Sequence, residues 1–279
     1  MGIHRKDFDK YILTTQKPIV RLEEYATMPA TAFLRAIVSA KCAANLCLKS
    51  FKTTKRGTYN VSASKSIQII NAGLLAYIMG NFETYEKYLF AQMFEYSVYL
   101  NKFDVEGFIK KLKEATKDNI DISLVRFAGY RNNAHSVGLV IAENLKNWQS
   151  PRIVNKYFNA FSLTDKSNHT LAFFSNNDIQ DLSILWQMRH SIVHTASTLT
   201  LPDSQKNEAL KEYGGKSIVL DKGFIVEVVR KFHPIIKNAT ERMQEIYIHN
   251  VKSTISPEIK TKIDNIFVVK SSCNVWLRQ

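Results

Sequence analysis

The chain has 279 residues, 45% of them hydrophobic, and sets 38 Lys plus Arg against 25 Asp plus Glu for a net charge of +13. That apolar content is enough for a sizeable buried core and excludes a disordered tail, while the basic surplus attracts polyanions over a Debye length of about 8–10 Å, so nucleic acid is the first partner to consider. The longest apolar run, residues 72–79, falls short of the roughly 18–20 needed to cross a bilayer, and Cys42, Cys47 and Cys273 lack metal-ligand spacing, so the chain reads as cytoplasmic, with reduced thiols and no membrane segment.

Only 10 Gly and 6 Pro interrupt the chain, and apolar residues recur at three- and four-residue steps. The pattern predicts an all-α fold. In chain order, helices are expected over residues 30–51, 64–79 continuing to 100, 105–115, 122–130, 137–148, 152–161, 178–195, 224–248 and 257–265. The polar stretch 52–64 reads as a loop between a basic helical extension, residues 1–60, and the main body, residues 61–279. Lys49, Lys52, Lys55, Arg56 and Lys65 form the densest cationic cluster, with no acid among them. Such a cluster is more often a solvated loop; alternatively it steers RNA, with Phe51 and Tyr59 stacking on bases. Residues 216–220 alternate briefly, which predicts at most a small hairpin.

The helix at 178–195 ends in Arg189-His-Ser-Ile-Val-His194, behind an apolar side of Ile179, Leu182, Leu185 and Trp186. Cleaving RNA through its own 2′-hydroxyl needs a group that moves protons and a cation that neutralises charge growing on phosphorus. Histidine and arginine are those residue types. On an ideal helix five residues turn the side chains about 140° apart, so Arg189 and His194 do not share a stripe. They converge on one phosphate only if the arginine reaches around, the helix distorts, or a second copy completes the site. His190 and His194, at i and i+4, do share a face and could chelate a metal, but no third ligand stands nearby. Arg131-Asn-Asn-Ala-His135 is a shorter Arg…His pair that reads more simply as a polar turn.

The run Asp181-Leu-Ser-Ile-Leu-Trp-Gln-Met-Arg-His-Ser-Ile-Val-His194 resembles the signature helix of the HEPN superfamily, an Arg followed after four to six residues by His. Gly73-Leu-Leu-Ala-Tyr-Ile-Met-Gly-Asn-Phe-Glu-Thr-Tyr-Glu-Lys-Tyr-Leu89, with its central Phe-Glu-x-Tyr, is similar to the opening helix of the RiboL-PSP-HEPN branch. Residues 216–243 resemble the strand-like piece and long final helix that follow the motif. The resemblance covers about residues 64–248, broken by a helical insertion over about 101–176.

It implies a HEPN-like helical bundle that dimerises so that two motifs face one another. It also implies a metal-independent endoribonuclease with no cofactor, leaving 2′,3′-cyclic phosphate and 5′-hydroxyl ends. By position, Arg189 would hold the phosphate, His194 would act as general acid or base, and His190 would support them. Glu83 would lie near the cleft, contacting Arg189 or His190; the competing reading pairs it with Lys87 at i+4. Such proteins commonly act as toxins or antiviral defence effectors, with RNA as target and an antitoxin or regulatory protein as partner. Some are catalytically silent scaffolds that bind RNA or protein, which is the alternative here.

Overall fold

The computed structural model describes residues 18–116, 136–161 and 172–270. It is an all-α helical bundle with no strand or sheet among the described residues. Its axis is α3, Val61–Glu95, which at 1.5 Å per residue is about 52 Å long. Asn60 starts it, the side chain accepting from the Ala63 N–H at 2.8 Å. Ile67, Leu75, Ile78, Phe82, Tyr85, Leu89 and Met93 recur at helical spacing and are buried.

Before α3 come α1, Leu22–Thr27, and α2, Pro29–Ser50, with Pro29 in the first turn, where its missing N–H costs nothing. By length and composition Pro29–Ser50 could cross a bilayer, and its Phe33, Leu34 and Ile37 side is buried in the bundle. The two faces that cover α3 come from opposite ends of the chain. The long α9, Phe224–His249, lies against α2 and α3, and Phe33, Phe82 and Phe232 meet with centroids 4.9–5.6 Å apart, Phe232 edge-on to the other two. Tyr85 shares a buried hydrogen bond with Thr240 at 2.9 Å, and Tyr247 donates to the Met93 carbonyl at 2.6 Å.

The C-terminal half of α3 is covered by α4, Val105–Thr116, α5, Val137–Asn144, and α6, Pro151–Asn159. Phe90 sits among Phe108, Trp148, Tyr157, Phe158 and Phe161 there. Gly138 is what lets α5 approach, since a Cβ on it would stand 2.3 Å from the Ala91 carbonyl oxygen. The motif helix α7, Asn176–His194, packs on α3 and α6; α8, Leu201–Ser204, follows it, and α10, Pro257–Ile266, closes on α1 and α3.

The helix expected over 137–148 stops at Asn144. Leu145 turns extended, Asn147 takes a positive φ of 65°, and the Trp148 indole donates to the Ala142 carbonyl at 2.9 Å. α3 gives way to a 3-10 turn at Tyr96–Tyr99 rather than reaching 100 as α-helix. Within the piece at 216–220 only a single antiparallel bridge forms, Thr198 with Ser217. The expected helix at 122–130 and the Arg131…His135 pair lie outside the described residues.

Glu86 is fully buried on α3, and neither carboxylate oxygen meets a hydrogen-bond partner among the described residues. Burial pushes its carboxyl well above the ordinary glutamate range; neighbouring Glu83 adds to the shift and Lys87 opposes it. Below the ordinary range the group is neutral whether the chain is folded or unfolded, and it costs no charge. As pH rises above that range only the unfolded chain ionises freely, so stability falls until the buried carboxyl also ionises. Glu86→Met is therefore expected to raise the Tm at pH 8 and to gain progressively less toward pH 4.5, measured by calorimetry. On the same instrument Gly138→Ala is expected to lower the Tm, because α5 must move off α3. Gly73→Ala, with nothing within 4 Å of its Cβ, is expected to leave Tm unchanged or raise it, helix propensity favouring Ala by about 1 kcal/mol.

Candidate functional site

Both ends of α7 are fixed. At the start, the Ser175 side chain accepts from the Asp178 N–H at 3.2 Å and Asp178 accepts from the Ser175 N–H at 2.9 Å, a reciprocal cap. Arg242 on α9 bonds the Phe173 carbonyl at 2.8 Å and reaches Asp178 at 3.5 Å, and Lys231 pairs with Asp181 at 2.6 Å. At the end, Ala196 and Ser197 take left-handed φ values of 49° and 63°, and the Ser197 N–H returns to the Ser191 carbonyl at 3.0 Å. His194 is thus held in the last helical position.

Leu182 and Leu185 bury one side of α7 in the core. The other carries a stripe of Asn176, Ile179, Gln180, Ser183, Trp186, Gln187 and His190, which forms one wall of a cavity of about 860 Å³. His194 continues that stripe one turn beyond, exposed, with its ring centroid 4.8 Å from that of His190 and the planes 40° apart. The structure therefore brings the two histidines together at one edge of the cavity. Arg189 does not line it. The residue is half-buried on the flank of α7 nearer Leu182 and Leu185, and its Nε is buried with no hydrogen-bond partner among the described residues.

The facing walls come from elements that the motif gave no reason to suspect. One is the turn before α6 and its first residues, Gln149, Ser150, Pro151 and Arg152; the other is Lys206, Asn207 and Glu208 after α8. Asp203 of α8 holds this second wall. It accepts from Thr200 at 2.8 Å and Lys206 at 2.6 Å, and stands 4.0 Å from His190 Nε2. The Lys206 and Thr200 hydrogen bonds keep its carboxyl below the ordinary aspartate range.

Glu83 pairs with Lys87 at 2.6 Å, the i+4 arrangement, rather than with Arg189 or His190. The pair lines a second cavity, about 530 Å³, whose other walls include Lys146, Trp148, Gln149 and Ser150. Gln149 and Ser150 belong to both cavities. Lys49, Lys52, Lys55, Arg56 and Lys65 are all exposed, and none lines either cavity. Beside them Phe51 and Tyr59 meet edge-on at 6.5 Å, and Tyr59 donates to the Leu48 carbonyl at 3.2 Å. No cluster of three or more His, Cys, Asp or Glu able to hold a metal occurs among the described residues.

Of the residues singled out in the sequence, the fold joins His190 and His194 and leaves Arg189, Glu83 and the cationic loop apart from them. Arg152, Asp203 and Lys206 escaped the sequence reading. Arg152 had a local signal in the Ser150-Pro151 helix start just before it, and Asp203 one in the Thr200-Leu-Pro-Asp203 cap. No family model, curated protein or solved structure matches this chain.

A carboxyl held below its ordinary range stabilises the fold at neutral pH and loses that contribution as pH falls through its own lowered value. Asp203→Asn is accordingly expected to lower the Tm at pH 7 and to differ progressively less from the wild type as pH falls below the ordinary aspartate range, with faster amide exchange across residues 200–208 as the local readout.

Proposed function

We propose that the chain is a metal-independent endoribonuclease of the HEPN type, cutting RNA by attack of its own 2′-hydroxyl. The observation that carries this reading is the pair of neighbouring imidazoles, His190 and His194, with ring centroids 4.8 Å apart at the edge of a cavity that also holds Arg152 and Lys206. Two imidazoles are the groups that can take and return a proton near neutral pH without a metal ion, and cations beside them suit a phosphodiester.

In this mechanism His194 takes the proton from the 2′-hydroxyl, the 2′ oxygen bonds to phosphorus, and the bond from phosphorus to the 5′ oxygen breaks. The products are a 2′,3′-cyclic phosphate and a 5′-hydroxyl. In-line displacement puts the leaving oxygen on the far side of phosphorus, so its proton comes from the motif of a second copy across a shared cleft. Arg189, directed off the histidine stripe, serves the phosphate held by that second copy. His190 orients His194 and carries the field of Asp203 toward it. In a cell this activity suits a toxin or antiviral effector, restrained by an antitoxin or regulatory partner.

The position of Arg189 on the flank of α7 favours a second reading, a catalytically silent subunit that binds RNA or protein through the same face. Cleavage of end-labelled RNA in EDTA separates the two. Wild type is expected to cut, and Arg189→Ala and His194→Ala to lose about 10²-fold or more. Equal activity in all three proteins rejects the assignment of these residues. An intact substrate with wild type, together with retained RNA binding, supports the silent subunit.

A further inference from the structure

The strand-like piece at 216–220 is paired on one side only. The Ile218 N–H donates to the Ser197 carbonyl at 2.7 Å and the Leu199 N–H to the Lys216 carbonyl at 3.0 Å, which closes the antiparallel bridge of Thr198 with Ser217. In an extended segment alternate residues turn their main-chain groups to opposite sides, so Ser217 and Val219 point theirs away from this pairing. Neither residue's N–H or C=O meets a partner among the described residues, whereas both main-chain groups of Thr198 are closed by Thr195. Ser217 is exposed and Val219 is 62% exposed. An open edge of this kind is a template for extended chain.

A groove of about 320 Å³ runs along the same residues, Lys216 to Val219, with Met188, Leu210 and Tyr213 on its far wall. Lys216 is the only charged residue among those described that line it; its ammonium stands 5.3 Å above the Tyr213 ring and pairs with no acid among the described residues. Lys216 and Ile218, two positions apart, share one face of the extended segment. A chain laid along the edge therefore meets an apolar position at Ile218 and an unpaired cation at Lys216 on that face, which a carboxylate complements. A second copy of the same edge does not: it brings another Lys216 where the groove offers no acid, the way edge lysines discourage self-pairing.

We propose that residues 216–219 are a docking edge for an extended, acidic segment of a partner protein, which adds a strand there. The main chain of the segment bonds Ser217 and Val219, a side chain opposite Ile218 enters the groove, and a carboxylate two residues away meets Lys216. The edge adjoins the end of the motif helix, through Met188 in the groove and through residues 197–199, which leave the turn that holds His194. Docking here does not depend on whether the chain cuts RNA.

The test follows main-chain amide exchange of the full chain by NMR with and without the capped peptide Thr-Val-Thr-Glu-Thr, and measures the affinity of the labelled peptide by fluorescence anisotropy. In the antiparallel register its Val falls opposite Ile218 and its Glu opposite Lys216. The expected result is slower exchange at Ser217 and Val219 on adding peptide, with little change at Ile218, which is already bonded. Replacing the peptide's Glu by Lys, or methylating its central amide nitrogen, is expected to weaken binding by about tenfold or more. Lys216→Glu is expected to reverse the order of the Glu and Lys peptides, and Lys110→Glu, an equal change of charge at an exposed position of α4, to leave it alone. No binding at millimolar peptide, equal affinity for the Glu and Lys peptides, or an unreversed order in Lys216→Glu at unchanged Tm would overturn the proposal. So would Ser217 and Val219 amides as slow as Ile218 without peptide: the edge is then already covered, by a second copy where the protection rises with protein concentration and by the chain itself where it does not.

Discussion

Everything in this protein is arranged around the need to cover α3. A helix of 35 residues that buries aromatic and aliphatic side chains along most of its length cannot be satisfied by one neighbour. One side is covered by α2 and α9, drawn from opposite ends of the chain and reaching Phe82, Tyr85 and Met93, and another side of the C-terminal half by α4 to α6. The second set shapes the larger cavity. By packing Phe90 among Trp148, Tyr157, Phe158 and Phe161, the core sets the start of α6 opposite α7, and so makes a cavity where the motif helix alone would present a flat polar face.

The motif helix is two-sided for the same reason. Its leucines belong to the core, and the side left over is uncharged until His190. Arginine in place 189 falls between these sides, where its long apolar stem packs and its Nε loses solvent without gaining a partner. A guanidinium held in that way is neither a free surface charge nor a settled structural one. The nuclease reading proposed above has a second copy complete it, and the silent-subunit reading leaves it idle.

Much of this architecture was legible from residue spacing. The all-α class, the helices at α2, α3, α7, α9 and α10 and the angular separation of Arg189 from His194 all follow from the 3.6-residue period, which depends on near neighbours only. Glu83 and Glu86 show how fine that reading must be. Phase decides between them: Glu86 lies four residues after Phe82 and three before Leu89, on the buried stripe, while Glu83 is a quarter-turn off it and finds Lys87. The early end of α5 was not legible, because the Trp148 indole that bonds back to Ala142 does so only once the core holds the ring. Nor was the cavity. Its walls come from residues about 150, 180 and 207, and proximity across such distances in sequence is a product of packing that no local pattern records.

The turn through Asn147 to Ser150 is a partition between two hollows. Gln149 and Ser150 face the basin of Glu83 and Lys87 on one side and that of His190 and Arg152 on the other, and Asn147 bends the backbone there with a positive φ. The two basins therefore have this short stretch of backbone as their common boundary.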